Sequence, residues 1–230
     1  MLEQLKKDVC KANKDLVDMN LVILKWGNVS AIDRDNNLVA IKPSGVDYDK
    51  LEPEDIVIVD LKGKVVEGKL KPSSDTVSHL LLYEKFPIGS VIHTHSNFAT
   101  AFSQAKEKVK CMGTTHSDNF RGDIPVTRDL TEDEIKDDYE LNTAKIIVEY
   151  FEKEKLNPME MSACLVASHA PFIWGRNIKE AIENAVVLER VAEMNLNAIK
   201  LNEKATSIAK HLSDKHYLRK HGKDAYYGQD

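Results

Sequence analysis

An apolar run that ends in two histidines, Ser90-Val91-Ile92-His93-Thr94-His95-Ser96, is the feature that most constrains this chain. Alternate side chains of an extended strand share one face, so His93 and His95 point the same way, about 7 Å apart along the strand. A second β-like run, residues 163–167, leads to His169. Three histidines at neighbouring strand ends suit zinc or a similar first-row ion, with one coordination position left for a substrate.

A purely structural role for these histidines is the alternative, because a histidine at a strand end often only forms hydrogen bonds. The spacing of His93 and His95 does not by itself separate the two roles. The other motifs along the chain are therefore needed to choose between a metal-binding role and a structural role.

Composition narrows the class of protein. A chain of 230 residues that is 42% hydrophobic can bury a sizeable core, and its scattered prolines and glycines mark no linker, so we expect one domain over residues 1–230. The net charge of −5 argues against a nucleic-acid partner, since phosphate-binding surfaces carry a basic excess. A small-molecule partner is favoured.

The cysteines and the N-terminus indicate the compartment. Cys10, Cys111 and Cys164 are odd in number and widely spaced, which predicts a reducing environment without a disulfide framework. The charged first residues lack the apolar core of a signal peptide, and no apolar run has membrane-spanning length. We expect a soluble cytoplasmic protein without a membrane partner.

Apolar periodicity predicts an α/β fold with a mixed, mostly antiparallel sheet. Strand patterns pair as two hairpins with short connections, which implies antiparallel neighbours. Helical spacing covers the first twenty residues and recurs in four later segments. Besides the run 90–96, the predicted strands are 28–32, 38–42, 56–60, 64–67 and 163–167, and the predicted later helices begin near residues 76, 97, 131 and 177.

Three small polar loops are candidates for an anion pocket, at residues 26–30, 42–45 and 71–75. The third opens a helix, whose N-terminus offers free N–H groups and a positive dipole end. Serines at a helix start are also ordinary N-cap residues. Both interpretations stay open, since the sequence alone does not show that the loops converge.

The C-terminal residues 214–222 are rich in cations and are followed by Tyr226 and Tyr227. Composition favours a solvated face and simple packing for this segment.

Together these motifs resemble the class II aldolase/epimerase family, and within it the members that epimerise L-ribulose 5-phosphate at C4. The resemblance spans essentially the whole chain and rests on six blocks in the family's order: residues 24–31, 41–48, 71–76, 93–96, 113–116, and 214–222 with 225–229. It implies a three-layer α/β/α fold. It also implies a homotetramer whose active sites lie between subunits.

The resemblance also implies roles for individual residues. Asp118 and Tyr227 would be the two acid/base groups, supplied across a subunit boundary, with His216 and Arg219 of the cationic tail close to the substrate. The metal, usually zinc with manganese or cobalt as alternatives, would be held by His93, His95 and His169 beside Asp75. The substrate's phosphate would bind at Gly27, Asn28, Lys42, Ser44, Gly45, Ser73 and Ser74.

The implied reaction is retro-aldol cleavage of a phosphorylated ketopentose between C3 and C4, rotation of the aldehyde and re-addition, in L-arabinose or L-ascorbate-type catabolism. The first alternative is a class II sugar-phosphate aldolase of the L-fuculose-phosphate type, which releases its products. That type commonly has a glutamate where this chain has Asp75, which favours the epimerase. A third interpretation is a binding module with a closed structural zinc site, for which Asp75 would be the fourth ligand.

Overall fold

The computed structural model describes residues 2–227, which form seven strands and seven α-helices. The strands are β1 (Gly27–Asp33), β2 (Leu38–Ile41), β3 (Val57–Asp60), β4 (Val65–Glu67), β5 (Ser90–Thr94), β6 (Ala163–Leu165) and β7 (Pro171–Gly175). The helices are α1 (Leu2–Asp18), α2 (Thr76–Lys85), α3 (Asn97–Ala105), α4 (Thr114–Ser117), α5 (Glu132–Glu154), α6 (Ile178–Leu201) and α7 (Lys210–His221).

One sheet contains all seven strands, in the order β4-β3-β2-β1-β5-β7-β6. Each pairing between neighbours is antiparallel. Both predicted hairpins are present, because the turns that follow β1 and β3 are too short for a crossover connection. The predicted α/β fold with a mostly antiparallel sheet is confirmed.

Helices cover both faces of the sheet, as strand alternation on β1 requires. Val29 and Ala31 share the face that α1 covers, where Asn13 of α1 exchanges hydrogen bonds with the backbone of Val29. Asn28 and Ser30 share the opposite face, where α2 lies. The result is the three-layer α/β/α arrangement.

Strand β7 was missing from the sequence prediction, although Pro171-Phe172-Ile173-Trp174-Gly175 is an apolar run bounded by a proline and a glycine. The omission affects the predicted position of His169. The strand before this histidine ends at Leu165, and β7, rather than β6, is the neighbour of β5. His169 therefore lies in the turn that enters β7.

The C-terminal segment also differs from its composition-based interpretation. Residues 210–221 form helix α7, which packs against the short helix α4 and buries Tyr217. Neither helix was predicted. Gly228 and Gln229, the last residues of the tail block, lie outside the described residues.

No helix within residues 2–227 combines the length and apolarity needed to cross a membrane. The three cysteines, Cys10, Cys111 and Cys164, are buried and free, in agreement with the expected lack of a disulfide framework.

Candidate active site

Three histidines meet at the end of the β5–β7 strand pair. His93 is the fourth residue of β5, His95 lies just beyond that strand, and His169 lies in the turn before β7. One ligand atom from each histidine lies within 4.8 Å of the others, and the ring centroids are 4.9–5.1 Å apart. Such a cluster can hold a metal ion and leave coordination positions open.

The hydrogen bonds of two histidines fit metal binding. The Nδ1 atom of His93 lies 3.0 Å from the carbonyl oxygen of Pro171, which can only accept, so Nδ1 carries the proton and Nε2 keeps its lone pair. The Nδ1 atom of His169 lies 3.2 Å from the hydroxyl of Tyr139. A second partner on the other ring nitrogen is the usual way in which a protein orients a metal-binding histidine.

Burial keeps the three imidazoles neutral. It lowers the pKa of His95 to about 4 and that of His169 to about 3, with further lowering from the neighbouring histidines. Burial also lowers the pKa of His93. Neutral imidazole is the form that binds metal ions, so at neutral pH the cluster needs no deprotonation before it binds one.

A contact between α6 and the first turn of α3 fixes the segment that follows His95. Glu189 of α6 accepts hydrogen bonds from the backbone N–H groups of Phe98 (2.8 Å) and Ala99 (2.9 Å), in the first turn of α3. A carboxylate at a helix N-terminus satisfies free N–H groups and complements the helix dipole. This contact holds the turn between β5 and α3 in place.

Asp75 lies beside the histidine cluster, at the N-cap position of α2. Its carboxylate accepts a hydrogen bond of 2.6 Å from the Asn28 side chain. Burial acts to raise the pKa of Asp75, but the neighbouring His93 and His79 rings together with the Asn28 bond outweigh it, so the pKa lies below its ordinary value. An ionised carboxylate therefore stands next to the three imidazoles, although it lies outside the group of mutually close ligand atoms.

The three predicted polar loops converge. The backbone N–H of Ser44, in the loop 42–45, donates to the carbonyl oxygen of Lys71 at 2.9 Å, and these two loops also form an isolated antiparallel bridge. The Asn28 side chain, from the first loop, donates to the Ser73 hydroxyl at 3.2 Å. The tertiary structure thus brings all three loops together next to the histidine cluster.

The ammonium group of Lys42 is turned into the protein. It donates to the carbonyl oxygens of Val46 (2.6 Å) and Pro43 (3.3 Å) and lies 4.9 Å from the ring centroid of Tyr48. Burial lowers the pKa of Lys42 to about 8. In this arrangement Lys42 braces the loop that carries Ser44 and Gly45.

The backbone conformation and close packing at position 27 require glycine. Its φ is +113°, and a Cβ atom at this position would lie 2.5 Å from the carbonyl oxygen of His93 on the neighbouring strand. The Gly27 carbonyl also accepts a 2.6 Å hydrogen bond from Tyr48. Only glycine allows β1 to approach β5, the strand that carries His93, this closely.

We therefore expect Gly27→Ala to destabilise the protein more than the control Gly63→Ala. Gly63 has φ +79°, but a Cβ atom there would lie 3.6 Å from its nearest neighbour, in Leu80, so alanine costs only the left-handed backbone penalty of about 1–2 kcal/mol. The overlap at Gly27 adds about 1–3 kcal/mol. Urea denaturation of both variants measures the difference, and equal losses would contradict the steric explanation.

Asp118 belongs to a second cluster, between α4 and α7. Its carboxylate accepts from Arg219 at 2.7 and 3.0 Å and lies 3.1 Å from Nδ1 of His216. Burial acts to raise the pKa of Asp118, but the hydrogen bonds from Arg219 and His216 outweigh it, so the pKa is lowered. The sequence singled out all three residues without predicting the helix that brings them together.

Tyr227 lies next to this second cluster. Its ring centroid is 4.4 Å from the Arg219 guanidinium, and its backbone N–H donates to the Arg219 carbonyl at 3.1 Å. The side chain is 55% exposed. Within residues 2–227 of one chain, no hydrogen bond joins this cluster to the three histidines.

Sequence analysis missed three residues that support the histidine site. Tyr139 contacts His169, Tyr48 holds Gly27, and the buried His79 lies one helical turn after Asp75. The helix-start motif at residues 71–76 was the available signal for His79, since residues four apart share a helix face.

His116 provides a pH prediction that is independent of the histidine cluster. Its Nε2 atom lies 2.8 Å from the Gly122 carbonyl, and burial lowers its pKa to about 4. An unfolded histidine titrates near 6.5, so below that pH the unfolded chain binds more protons and stability falls with acid. Between pH 7 and pH 5 we expect His116 to contribute about 2 kcal/mol to this loss.

Urea unfolding of metal-free protein at the two pH values measures that loss. The variant His116→Gln cannot titrate and should lose less stability on acidification than the unmodified chain. An identical loss in both proteins would contradict the assignment.

The fold and the site define a three-layer α/β protein with an antiparallel sheet and a three-histidine cluster beside converging polar loops. The chain belongs to the family described as Class II Aldolase and Adducin N-terminal domain, whose model matches residues 7–196.

Curated relatives share the whole length of the chain. Proteins named L-ribulose-5-phosphate 4-epimerase UlaF, from Salmonella paratyphi B and Salmonella typhi, are each 49% identical over 229 residues, which covers 99% of this chain and 100% of theirs.

Solved structures share the fold. An L-fuculose 1-phosphate aldolase superposes with a TM-score of 0.78 at 26% identity, covering 93% of this chain and 94% of its own. The L-fuculose-1-phosphate aldolase from Thermus thermophilus superposes with a TM-score of 0.68 at 22% identity, covering 89% of this chain and 99% of its own.

Proposed function

We propose that this protein is a zinc-dependent L-ribulose-5-phosphate 4-epimerase, an isomerase that interconverts L-ribulose 5-phosphate and D-xylulose 5-phosphate. The observation that carries the proposal is the 49% identity, over full length, to proteins with that name. The histidine cluster supports it, because three neutral imidazoles beside a carboxylate form a donor set suited to a catalytic divalent ion. Manganese and cobalt accept the same donors, and the assay below includes them.

The chemistry explains why a metal site and two acid/base groups are needed. The hydrogen on C4 of the substrate is not acidic, because C4 is not adjacent to the C2 carbonyl. A base instead takes the proton of the C4 hydroxyl, and the C3–C4 bond breaks with its electron pair passing to the C3 fragment. A divalent ion held by the three histidines would supply Lewis-acid stabilisation of the negative charge on that fragment.

Inversion then requires the aldehyde to rotate and C3 to add to its other face. The new C4 oxygen takes up a proton on the side opposite to the one from which the first proton left. Two proton-transfer groups on opposite sides of the aldehyde are therefore needed. We assign these roles to Asp118 and Tyr227, with His216 and Arg219 positioning them.

The polar loops fit the substrate's phosphate. Asn28, Ser44, Gly45, Ser73 and Ser74 offer amide, hydroxyl and backbone donors next to the start of α2, and phosphates bind well at such positions. Gly27 permits the close approach of strand and loop, and Lys42 holds the loop rather than contacting the phosphate directly. Retention of the phosphate keeps the cleaved aldehyde fragment in place while it rotates.

The separation of the two clusters within one chain supports a shared active site. We propose a homotetramer in which Asp118 and Tyr227 of one subunit complete the histidine site of another. Trp26, whose ring lies 6.4 Å from that of His95, is 51% exposed and would be covered by the neighbouring subunit. We further propose that residues 1–230 are one domain and that the protein acts in the cytoplasm, in catabolism of L-arabinose or an L-ascorbate-type sugar acid.

The first test is turnover of L-ribulose 5-phosphate by zinc-loaded protein, followed through a coupled assay for D-xylulose 5-phosphate. Chelation should abolish the activity, and zinc, manganese or cobalt should restore it to different extents. No turnover with any of the three ions would overturn the proposal.

The second candidate is an L-fuculose-phosphate type aldolase, which the structural similarity at 26% identity favours. Such an enzyme shares the cleavage step and releases both products. Incubation with L-fuculose 1-phosphate, with detection of released dihydroxyacetone phosphate, distinguishes it from the epimerase. Metal-dependent folding without turnover of either substrate would instead indicate a closed structural zinc site.

A further inference from the structure

A line of buried polar side chains runs along α2, facing the sheet. Asp75, His79 and Tyr83 are spaced four residues apart and so share one face of the helix. Asp75 contacts Asn28, and both His79 and Tyr83 contact Ser30, two residues further along β1. The line connects the Asp75 end of the histidine site to the interior of the protein.

The directions of the hydrogen bonds in this line follow from its Tyr83 end, where a backbone N–H group can only donate. The backbone N–H of Val91 donates to the Tyr83 hydroxyl oxygen at 3.1 Å. The hydroxyl of Tyr83 lies 2.7 Å from that of Ser30, which lies 2.7 Å from Nδ1 of His79. All three groups are satisfied when Tyr83 donates to Ser30 and Ser30 donates to His79, so Nδ1 accepts and Nε2 carries the proton.

The Nε2–H group of His79 has no hydrogen-bond partner among residues 2–227, although the side chain is completely buried. The side-chain oxygen of Asn28 is likewise buried and unpartnered. Leaving buried donors and acceptors unpaired costs free energy, and in native proteins such groups are commonly satisfied by ordered water. Asn28 contacts Asp75 and His79 follows it by one helical turn, so the unpaired donor and the unpaired acceptor belong to two side chains next to Asp75.

We infer that His79 is a positioning residue for Asp75, and that its Nε2–H group steadies the carboxylate through one buried water. Asn28 holds one carboxylate oxygen from β1, and His79 acts from the next turn of α2. The opposing influence of the Asp75 charge on the pKa of His79, which burial lowers to about 3, agrees with their proximity. The inference rests on the proposed function only in treating Asp75 as part of the metal site.

The tautomer of His79 is the first measurement. Long-range ¹H–¹⁵N NMR of histidine-labelled, metal-free protein reports which ring nitrogen carries the proton, and His79→Gln identifies the resonances. We expect the Nε2–H form. An Nδ1–H form would overturn the inference, whatever the activity of the protein.

Two substitutions then separate positioning from packing. Glutamine places an amide nitrogen near the position of Nε2, whereas asparagine places one near that of Nδ1. We expect His79→Gln to retain zinc affinity within about 3-fold. His79→Asn should lower zinc affinity by about 10–100-fold, which is the usual effect of removing a residue that supports a metal site. Equal losses, or a larger loss in the glutamine variant, would overturn the inference.

Ser30→Ala provides a second route should the asparagine variant fail to fold. It removes the donor that fixes the tautomer and should weaken zinc binding without a change in any group beside the metal. Unchanged zinc affinity in this variant would contradict the proposed effect of Ser30 on Asp75 through His79. Because zinc affinity and tautomer are measured without substrate, failure of the epimerase assay and failure of this inference are distinguishable.

Discussion

Replacing His93 by asparagine is expected to lower zinc affinity by more than about 100-fold and to abolish turnover. Removal of a residue that only supports a metal ligand already lowers metal affinity about 10–100-fold, and His93 is itself a proposed ligand. Its ring is buried at the centre of the cluster, stacks on Phe172 at 4.3 Å and is oriented by the Pro171 carbonyl. Competition with a chromophoric chelator measures the affinity.

The matched control is His211→Asn, because His211 is exposed on α7 and is outside the histidine cluster. It should bind zinc like the unmodified protein. Circular dichroism and urea unfolding of the His93→Asn variant establish that the sheet remains folded. If that folded variant kept its zinc content and affinity, the three-histidine metal site would be wrong.

Replacing Tyr227 by phenylalanine is expected to reduce epimerisation by about 10²–10⁴-fold, the usual contribution of one general acid/base group. Zinc affinity and stability should remain unchanged, because the hydroxyl is on an exposed ring and outside the histidine cluster. The ring should still stack on Arg219 in the variant, since phenylalanine keeps the aromatic face.

Tyr226→Phe is the control for that substitution, since Tyr226 is the adjacent residue and is 65% exposed. Its activity should match that of the unmodified protein. Full activity of Tyr227→Phe, or equal loss in both variants, would contradict the proposed role of Tyr227.

A mixture of the two inactive variants tests whether the active site is shared between subunits. If Tyr227 serves the histidine cluster of another subunit, tetramers reassembled from equal amounts of His93→Asn and Tyr227→Phe contain sites with both residues intact. Random assembly then restores about a quarter of the activity, because each site has a one-in-two chance of an intact His93 and a one-in-two chance of an intact Tyr227 from the other subunit. If each subunit were self-contained, the mixture would stay inactive.

Much of the local structure followed from short patterns in the sequence. The amphipathic α1, the two hairpins, and the helices that begin near Thr76, Asn97, Thr131 and Asn177 were predicted because their signals are local. The capping box of Thr131 and the N-cap of Asn177 are present as side-chain hydrogen bonds. Such turns, caps and periodicities act over a few residues, so they can be read without knowledge of the fold.

The sequence by itself determined most of the elements, the three histidines of the cluster and the resemblance to the family. Only the tertiary structure decided that β7 inserts between β5 and β6, that three loops far apart in sequence converge, and that Asp118 meets α7 instead of the histidines. It also decided that Lys42 points inward and that His79 lies beneath Asp75. The convergence of the loops and the Asp118 contacts join residues tens of positions apart, so their geometry depends on strand order and helix packing. The Lys42 contacts and the position of His79 beneath Asp75 involve residues nearby in the chain, but the direction in which each side chain turns depends on the elements packed around it.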